Sequence, residues 1–222
     1  MIYILNIETA TRNCSVALSQ NGNVIACKEI AEAGYSHAEK LHIFIDEILK
    51  ENRLVFKDLS AIAISQGPGS YTGLRIGVSA AKGLCYSLDI PLIAIDTLEI
   101  LARKLIVQNG IIIPMIDARR MECYTAIFNN KHEKIREVKA EIIGENSFQE
   151  ITKTIHFVGD GAVKCKDVLI DEKFIYHDNI EFPSANEMCK IAYDKYKKND
   201  IVDVAYFEPF YLKDFMMTVS SK

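Results

Sequence analysis

No stretch of the chain approaches the ~18 consecutive apolar residues of a membrane span, so no spanning helix is predicted. Neither sign of charge dominates: 26 Lys and Arg stand against 30 Asp and Glu, a net charge of −4, and neither half is basic. A stand-alone nucleic-acid binder driven by broad phosphate neutralisation is thereby excluded. The six cysteines contain no CxxC pair and sit at wide spacing, most of them in apolar runs, so free thiols in a reducing, cytoplasmic setting are expected. No basic leader precedes MIYILNIETA, which reads as a core strand and not as a signal peptide. No Pro- or Ser-rich linker interrupts the chain. What is present is ordinary globular material: 222 residues, 49% apolar and 25% charged, enough for one large domain or two small lobes with a real core.

The main organising signal is an internal repeat. ILNIETATRNCSVALSQNGNV and IPMIDARRMECYTAIFNNKHE register without a gap at a shift of 109 residues, which sets Glu8 on Asp117, Cys14 on Cys123 and Ala17 on Ala126. Each copy is an apolar strand ending in a carboxylate, a polar turn, an alternating strand and a hairpin; Asn21-Gly22 is a type I′ turn signal. Further on, AIAISQGPGS and IHFVGDGA each run from an apolar strand into a Gly-x-Gly turn and a helical pattern, now at a shift of 92 residues. The first half therefore holds about 17 extra residues, assigned to the segment 35–52. Alternating strands and helices predict mixed sheets flanked by helices, an α/β fold in two closely packed lobes, 1–105 and 106–222. A strand at 90–96 and helices at 97–109 and 184–198 complete the pattern, the last opened by Ser184 and Glu187 in capping-box spacing. The aromatic tail 207–217 is expected to fold back onto a lobe.

Three features could carry chemistry. In SQGPGSYTGLRIGVSAAKGL, Gly67, Gly69 and Gly73 shape a strand-to-helix turn that Ser70 or Thr72 could cap, and free amides there would suit an anion. The Gly-Lys-Ser/Thr ending of a P-loop is missing, and a purely steric need for glycine is the alternative. Within the helix, Gly73, Gly77 and Ala81 recur every four residues, a small-residue face that admits another backbone, either the chain's own core or a partner. Leu41, Phe44, Ile45, Ile48 and Leu49 form an amphipathic stripe on the helix 36–52. Such a stripe commonly packs on its own lobe. The second half lacks this helix, so the shared fold does not require it, and we read the stripe as a partner face.

Metal and nucleophile chemistry find little support. His37 and His42 stand about 140° apart around a helix and cannot share an ion as an i, i+4 pair could. His132, His156 and His177 are isolated, and Ser36-His37 adjacency implies no catalytic pairing. Glu8 and Asp117 end the paired first strands, where a carboxylate could handle magnesium or water. Their neighbours Thr9, Thr11 and Arg119-Arg120 replace the glycines that phosphate approach wants, so the frame is retained and the phosphate site degraded.

With ILNIETATRNCSVAL, GYSHAEKL, SQGPGSYTGLRIGVSAAKGL, MIDARRMECY and PFYLKDF in place, the chain resembles, over nearly its whole length, the TsaB (YeaZ) family of tRNA threonylcarbamoyladenosine biosynthesis proteins. Glu8 departs from the Asp usual there. The resemblance implies the duplicated actin/Hsp70/sugar-kinase (ASKHA) fold and a non-catalytic paralogue of the TsaD transferases, once labelled glycoproteases, whose His-x-x-x-His metal pair is missing here. It implies a subunit that activates a TsaD-like partner, with a TsaE-like ATPase joining the complex, tRNA reached only through the complex, no cofactor of its own and no membrane role. Family dimers pair through first-lobe helices, here 36–52 and 70–86. That implies an interface of His37, Leu41, Phe44, Ile45 and Ile48 with Tyr71, Gly73, Leu74, Gly77, Val78 and Ala81, used for a homodimer when the partner is absent. A residual nucleotide or anion site would comprise Glu8, Thr9, Thr11, Gly67, Gly69, Ser70, Asp117, Gly159 and Gly161. The rivals are an active kinase or ATPase of the same fold, a metallopeptidase and, more weakly, a direct tRNA reader.

Overall fold

A computed structural model of the chain describes residues 1–31 and 37–212. Five strands, β1 (Tyr3–Glu8), β2 (Cys14–Gln20), β3 (Asn23–Ile30), β4 (Ala61–Gly67) and β5 (Leu92–Asp96), form one sheet in the order β3-β2-β1-β4-β5. The next five, β6 (Ile111–Asp117), β7 (Glu122–Asn129), β8 (Lys134–Ile142), β9 (Ile155–Val158) and β10 (Phe174–Tyr176), repeat that order as β8-β7-β6-β9-β10. In both sheets the first two pairings are antiparallel and the last two parallel. This is the duplicated actin/Hsp70/sugar-kinase arrangement. The repeat differs in one detail from its gapless reading: Glu8 pairs with Ser15 but Asp117 with Cys123, so the second turn is one residue shorter.

The helices follow their sequence signals. α1 (His37–Glu51) lies between β3 and β4, and the corresponding stretch 143–154 of the second half holds only turns. α2 (Tyr71–Leu88) starts at Ser70, whose hydroxyl accepts from the Gly73 amide, and stops at left-handed Asp89. α3 (Thr97–Ala102) is shorter than the expected 97–109; turns follow Ala102. α4 is Asp160–Cys165 and α5 is Ala185–Lys197. Ser184 caps α5 through the Asn186 amide, but the return half of the capping box is not made: Glu187 Oε1 accepts from Asn186 Nδ2, and Oε2 has no partner. The Asn21-Gly22 turn forms as expected, with both residues at positive φ.

Alternation along β1 sends its side chains to two cores. Leu5 and Ile7 face α1 and α2, and Ile4 faces α5. Asn6 is buried beside Ile4 and engages its amide with Ala17 O and Cys189 Sγ, as an interior polar group must. α3 lies between the sheets: Ile100 packs with the first and Leu98 and Leu101 with the second. The chain beyond β10 returns to the first sheet. α5 covers it, Val202 N donates to Leu92 O, and Phe207 joins the core under α1 and α2. Part of the expected fold-back thus lies within 207–212; residues 213–217 fall outside the described segments. The six cysteines are free thiols.

Candidate functional site

Sequence-singled residues of the first half meet where β1 and β4 end beneath α2. Glu8 is fully buried. Its Oε1 accepts from Ala10 N at 2.6 Å, and its Oε2 has no hydrogen-bond partner. Burial raises its pKa to about 7, against the weaker pull of the Ala10 amide, Ser65 and Lys104. The turn that follows is wedged under α2: Thr9 Oγ1 donates to Gly73 O at 2.8 Å. A Cβ on Gly73 would overlap Thr9 O, and one on Gly77 would overlap Thr9 Oγ1. These two glycines are therefore small so that the chain's own turn can approach.

The Gly-rich loop closes over the same turn. Ser70 N donates to Ala10 O at 2.6 Å, Gly67 N to Thr97 Oγ1 at 3.0 Å and Gly73 N to Ser70 Oγ at 3.3 Å. A Cβ on Gly69 would overlap Ala10 O. The Gly67, Ser70 and Gly73 amides are thus engaged internally, and Thr11 is buried with its hydroxyl unpartnered.

The second half repeats the frame with a different finish. Asp117 is exposed, forms an ion pair with Lys164 and accepts from Arg119 N at 2.7 Å. Gly159 N donates to Ile180 O at 2.7 Å and Asp160 N to Glu181 O at 3.0 Å. A Cβ on Gly159 would overlap Met115 O, and one on Gly161 would lie 3.0 Å from Cys123 Sγ. The nine residues of the expected anion site thus fall into two groups, one at each sheet, with Asp117, one oxygen of Glu8 and the Gly67, Ser70, Gly73 and Gly159 amides engaged internally. Among the described residues no three His, Cys, Asp or Glu side chains gather as a metal site would need.

The apolar stripe of α1 packs on the chain's own sheet. Leu41, Ile45, Ile48 and Leu49 are buried in one cluster with Val78 and Ala81 of α2, and Leu74 is likewise buried. Phe44 packs against the rim of that cluster. The reading of these side chains as an outward face is corrected: a stripe at i, i+3, i+4 marks burial without saying against what. The outward positions are others: Ile43, 48% exposed, on α1, and Thr72, Arg75, Ser79, Gly83 and Tyr86 on α2. Gly83 has open space where its Cβ would stand. His37, half-buried at the start of α1, has an unpartnered Nδ1 and a pKa lowered by burial. Tyr71 packs on the Tyr211 ring at 4.9 Å, and the Arg75 guanidinium lies 4.1 Å from the Tyr71 ring centre.

Sequence reasoning missed two groupings. His156 and His177, isolated in the chain, place Nδ1 and Nε2 3.0 Å apart; their positions on the adjacent parallel strand β9 and just after β10 are the signal that could have paired them. Lys134 of β8 reaches Asp96 at the start of α3, tying the lobes by a charge pair no local pattern announces.

Residues 30–214 match the family model for TsaD, tRNA N6-adenosine threonylcarbamoyltransferase. The tRNA threonylcarbamoyladenosine biosynthesis protein TsaB of Bacillus subtilis is 38% identical, over 95% of this chain and 93% of that protein. Its Escherichia coli namesake is 31% identical, over 95% and 94%. YeaZ from Pseudomonas aeruginosa superimposes with a TM-score of 0.81 at 23% identity, over 96% of this chain and 100% of that one, a likeness of fold.

Proposed function

The chain belongs to the TsaB family of tRNA threonylcarbamoyladenosine biosynthesis proteins, and from that premise we propose that it is a non-catalytic subunit that binds and activates a TsaD-like transferase. The observation that carries the reading is the engagement of the ancestral ligand positions. Glu8 is sealed beneath Thr9, Ala10 and α2, the Gly67, Ser70, Gly73 and Gly159 amides serve the chain itself, and Asp117 is paired with Lys164. A group that must polarise a phosphate or activate water needs access to the reacting atoms. The same engagement speaks against a kinase or ATPase role for the lone chain.

The surface that meets the partner is the outer side of α1 and α2. Ser79 and Gly83 are four residues apart on α2 and both exposed, so a facing helix can come close there, with Ile43 of α1 as an apolar contact. The same side forms a homodimer when the partner is absent. A TsaE-like ATPase completes the complex in the cytoplasm, and tRNA is engaged in that assembly. Two lobes, 1–105 and 106–222, divide the work, the first carrying the partner surface.

Co-expression with the TsaD-like subunit of the same genome, followed by size-exclusion and a tRNA modification assay with each component omitted, tests this. We expect a stable complex, modification that needs both proteins, and negligible turnover by this chain alone. Robust turnover by the pure chain, or modification undiminished in its absence, refutes the proposal.

A further inference from the structure

The turns that the duplication makes equivalent end in opposite ways. In the first lobe Thr9, Ala10 and Thr11 are buried beneath the Gly-rich loop and α2. In the second lobe the turn after Asp117 exposes Arg119 and Arg120, and the Gly-x-Gly turn 159–161 packs on Met115 and Cys123 instead of over it. The exposed turn is closed by hydrogen bonds: Ala118 N donates to Glu122 O at 3.1 Å and Glu122 N to Arg119 O at 3.2 Å.

Both arginines adopt positive φ, 71° and 53°. Glycine would adopt this backbone without strain and arginine does not, so the turn holds two large cations in a conformation unfavourable to them. The neighbouring carboxylate, Asp117, is taken by Lys164 and by the Arg119 amide. Among the described residues neither guanidinium enters an ion pair. Two adjacent, exposed, unpaired guanidiniums on a tightly closed turn offer forked N–H donors suited to phosphate oxygens. The acidic Asp160 and Glu181 on the adjoining turn confine the feature to a grip on one or two phosphates.

We propose that the Arg119–Arg120 turn contacts the phosphodiester backbone of tRNA when the assembly holds its substrate. The inference rests on the reading of this chain as a subunit of a tRNA-modifying complex, and it assigns the second lobe a contact that the charge balance of the whole chain conceals.

The test is anisotropy of fluorescein-labelled tRNA titrated with the full chain and with its complex with the transferase, over a series of KCl concentrations. Arg119→Ala/Arg120→Ala is compared with Lys131→Ala/Lys153→Ala, which removes the same charge from elsewhere. We expect the arginine variant to bind about tenfold more weakly, with a salt slope shallower by about 2, and the lysine variant to match the wild type. Arg119→Gly/Arg120→Gly should melt higher than the wild type yet bind tRNA as poorly as the alanine variant, a combination a merely structural turn would not produce. Equal affinity and slope for wild type and arginine variants, or no salt-dependent tRNA binding by either wild-type species, overturns the proposal. Loss of binding to ATP or inorganic phosphate with tRNA binding untouched also overturns it, in favour of a free-anion site. A pull-down run in parallel reports complex formation separately. If no complex forms, the subunit reading fails and the arginine contact falls with it; if the complex forms and the arginine variants bind tRNA as the wild type does, only the arginine contact is overturned.

Discussion

Replacing Glu8 with Gln should make the protein more stable at pH 8 and leave it nearly unchanged at pH 4.5. The carboxyl is fully buried, and burial raises its pKa from the ordinary 4.5 to about 7. Folded protein therefore keeps this proton after the unfolded chain has released it. Its contribution is complete below pH 4.5, declines as pH rises toward 7, and is then level at its lower value. At about 1.4 kcal/mol per pH unit, charging Glu8 in place removes about 3 kcal/mol. Gln is nearly isosteric and neutral, and its carbonyl can still accept from Ala10 N. Urea titrations of both proteins at half-unit intervals from pH 4.5 to 8.5 give the difference directly, and subtraction cancels every other titrating group. The Glu8→Gln advantage should grow from near zero to about 2–3 kcal/mol. Parallel curves across that range would show that Glu8 keeps an ordinary carboxylate titration, and the sealed-site argument would fail with it.

Gly77→Leu should destabilise the fold by about 3 kcal/mol or more, because its Cβ would overlap Thr9 Oγ1, whereas Gly83→Leu should melt like the wild type and lose the partner in a pull-down. Asp96→Ala removes both the α3 cap and the partner of Lys134, so calorimetry should show about 2–3 kcal/mol less stability. Burial and the neighbouring His156 hold the His177 pKa down, so His177 contributes stability that is lost as pH falls below about 6.5. His177→Phe should flatten that acid limb, and an unchanged limb would move the cause elsewhere. Ile43→Glu should weaken association with the transferase about tenfold or more without altering circular dichroism.

Much of the architecture was legible because it is written in local patterns. The repeated strand–turn–strand–hairpin appears as two sheets of identical order, and α1 and α5 begin and end within a residue of their patterns. The end of α3 at Ala102 was not legible because Thr97, Leu98, Ile100, Leu101, Ala102 and Leu105 are all buried, which leaves no single stripe to mark it. The one-residue deletion in the second turn was invisible, since Cys14 and Cys123 match by type while only Cys123 pairs with its strand-end carboxylate.

Periodicity, punctuation and repetition are properties of neighbouring residues, so the sequence by itself determined the duplicated fold and the Gly-lined helix. Which face of an apolar helix is covered depends on residues far away in the chain. Only the tertiary structure could turn Leu41, Ile45 and Ile48 inward, set Thr9 against Gly73 and Gly77, return α5 to the first sheet and leave Arg119 and Arg120 outside every ion pair among the described residues.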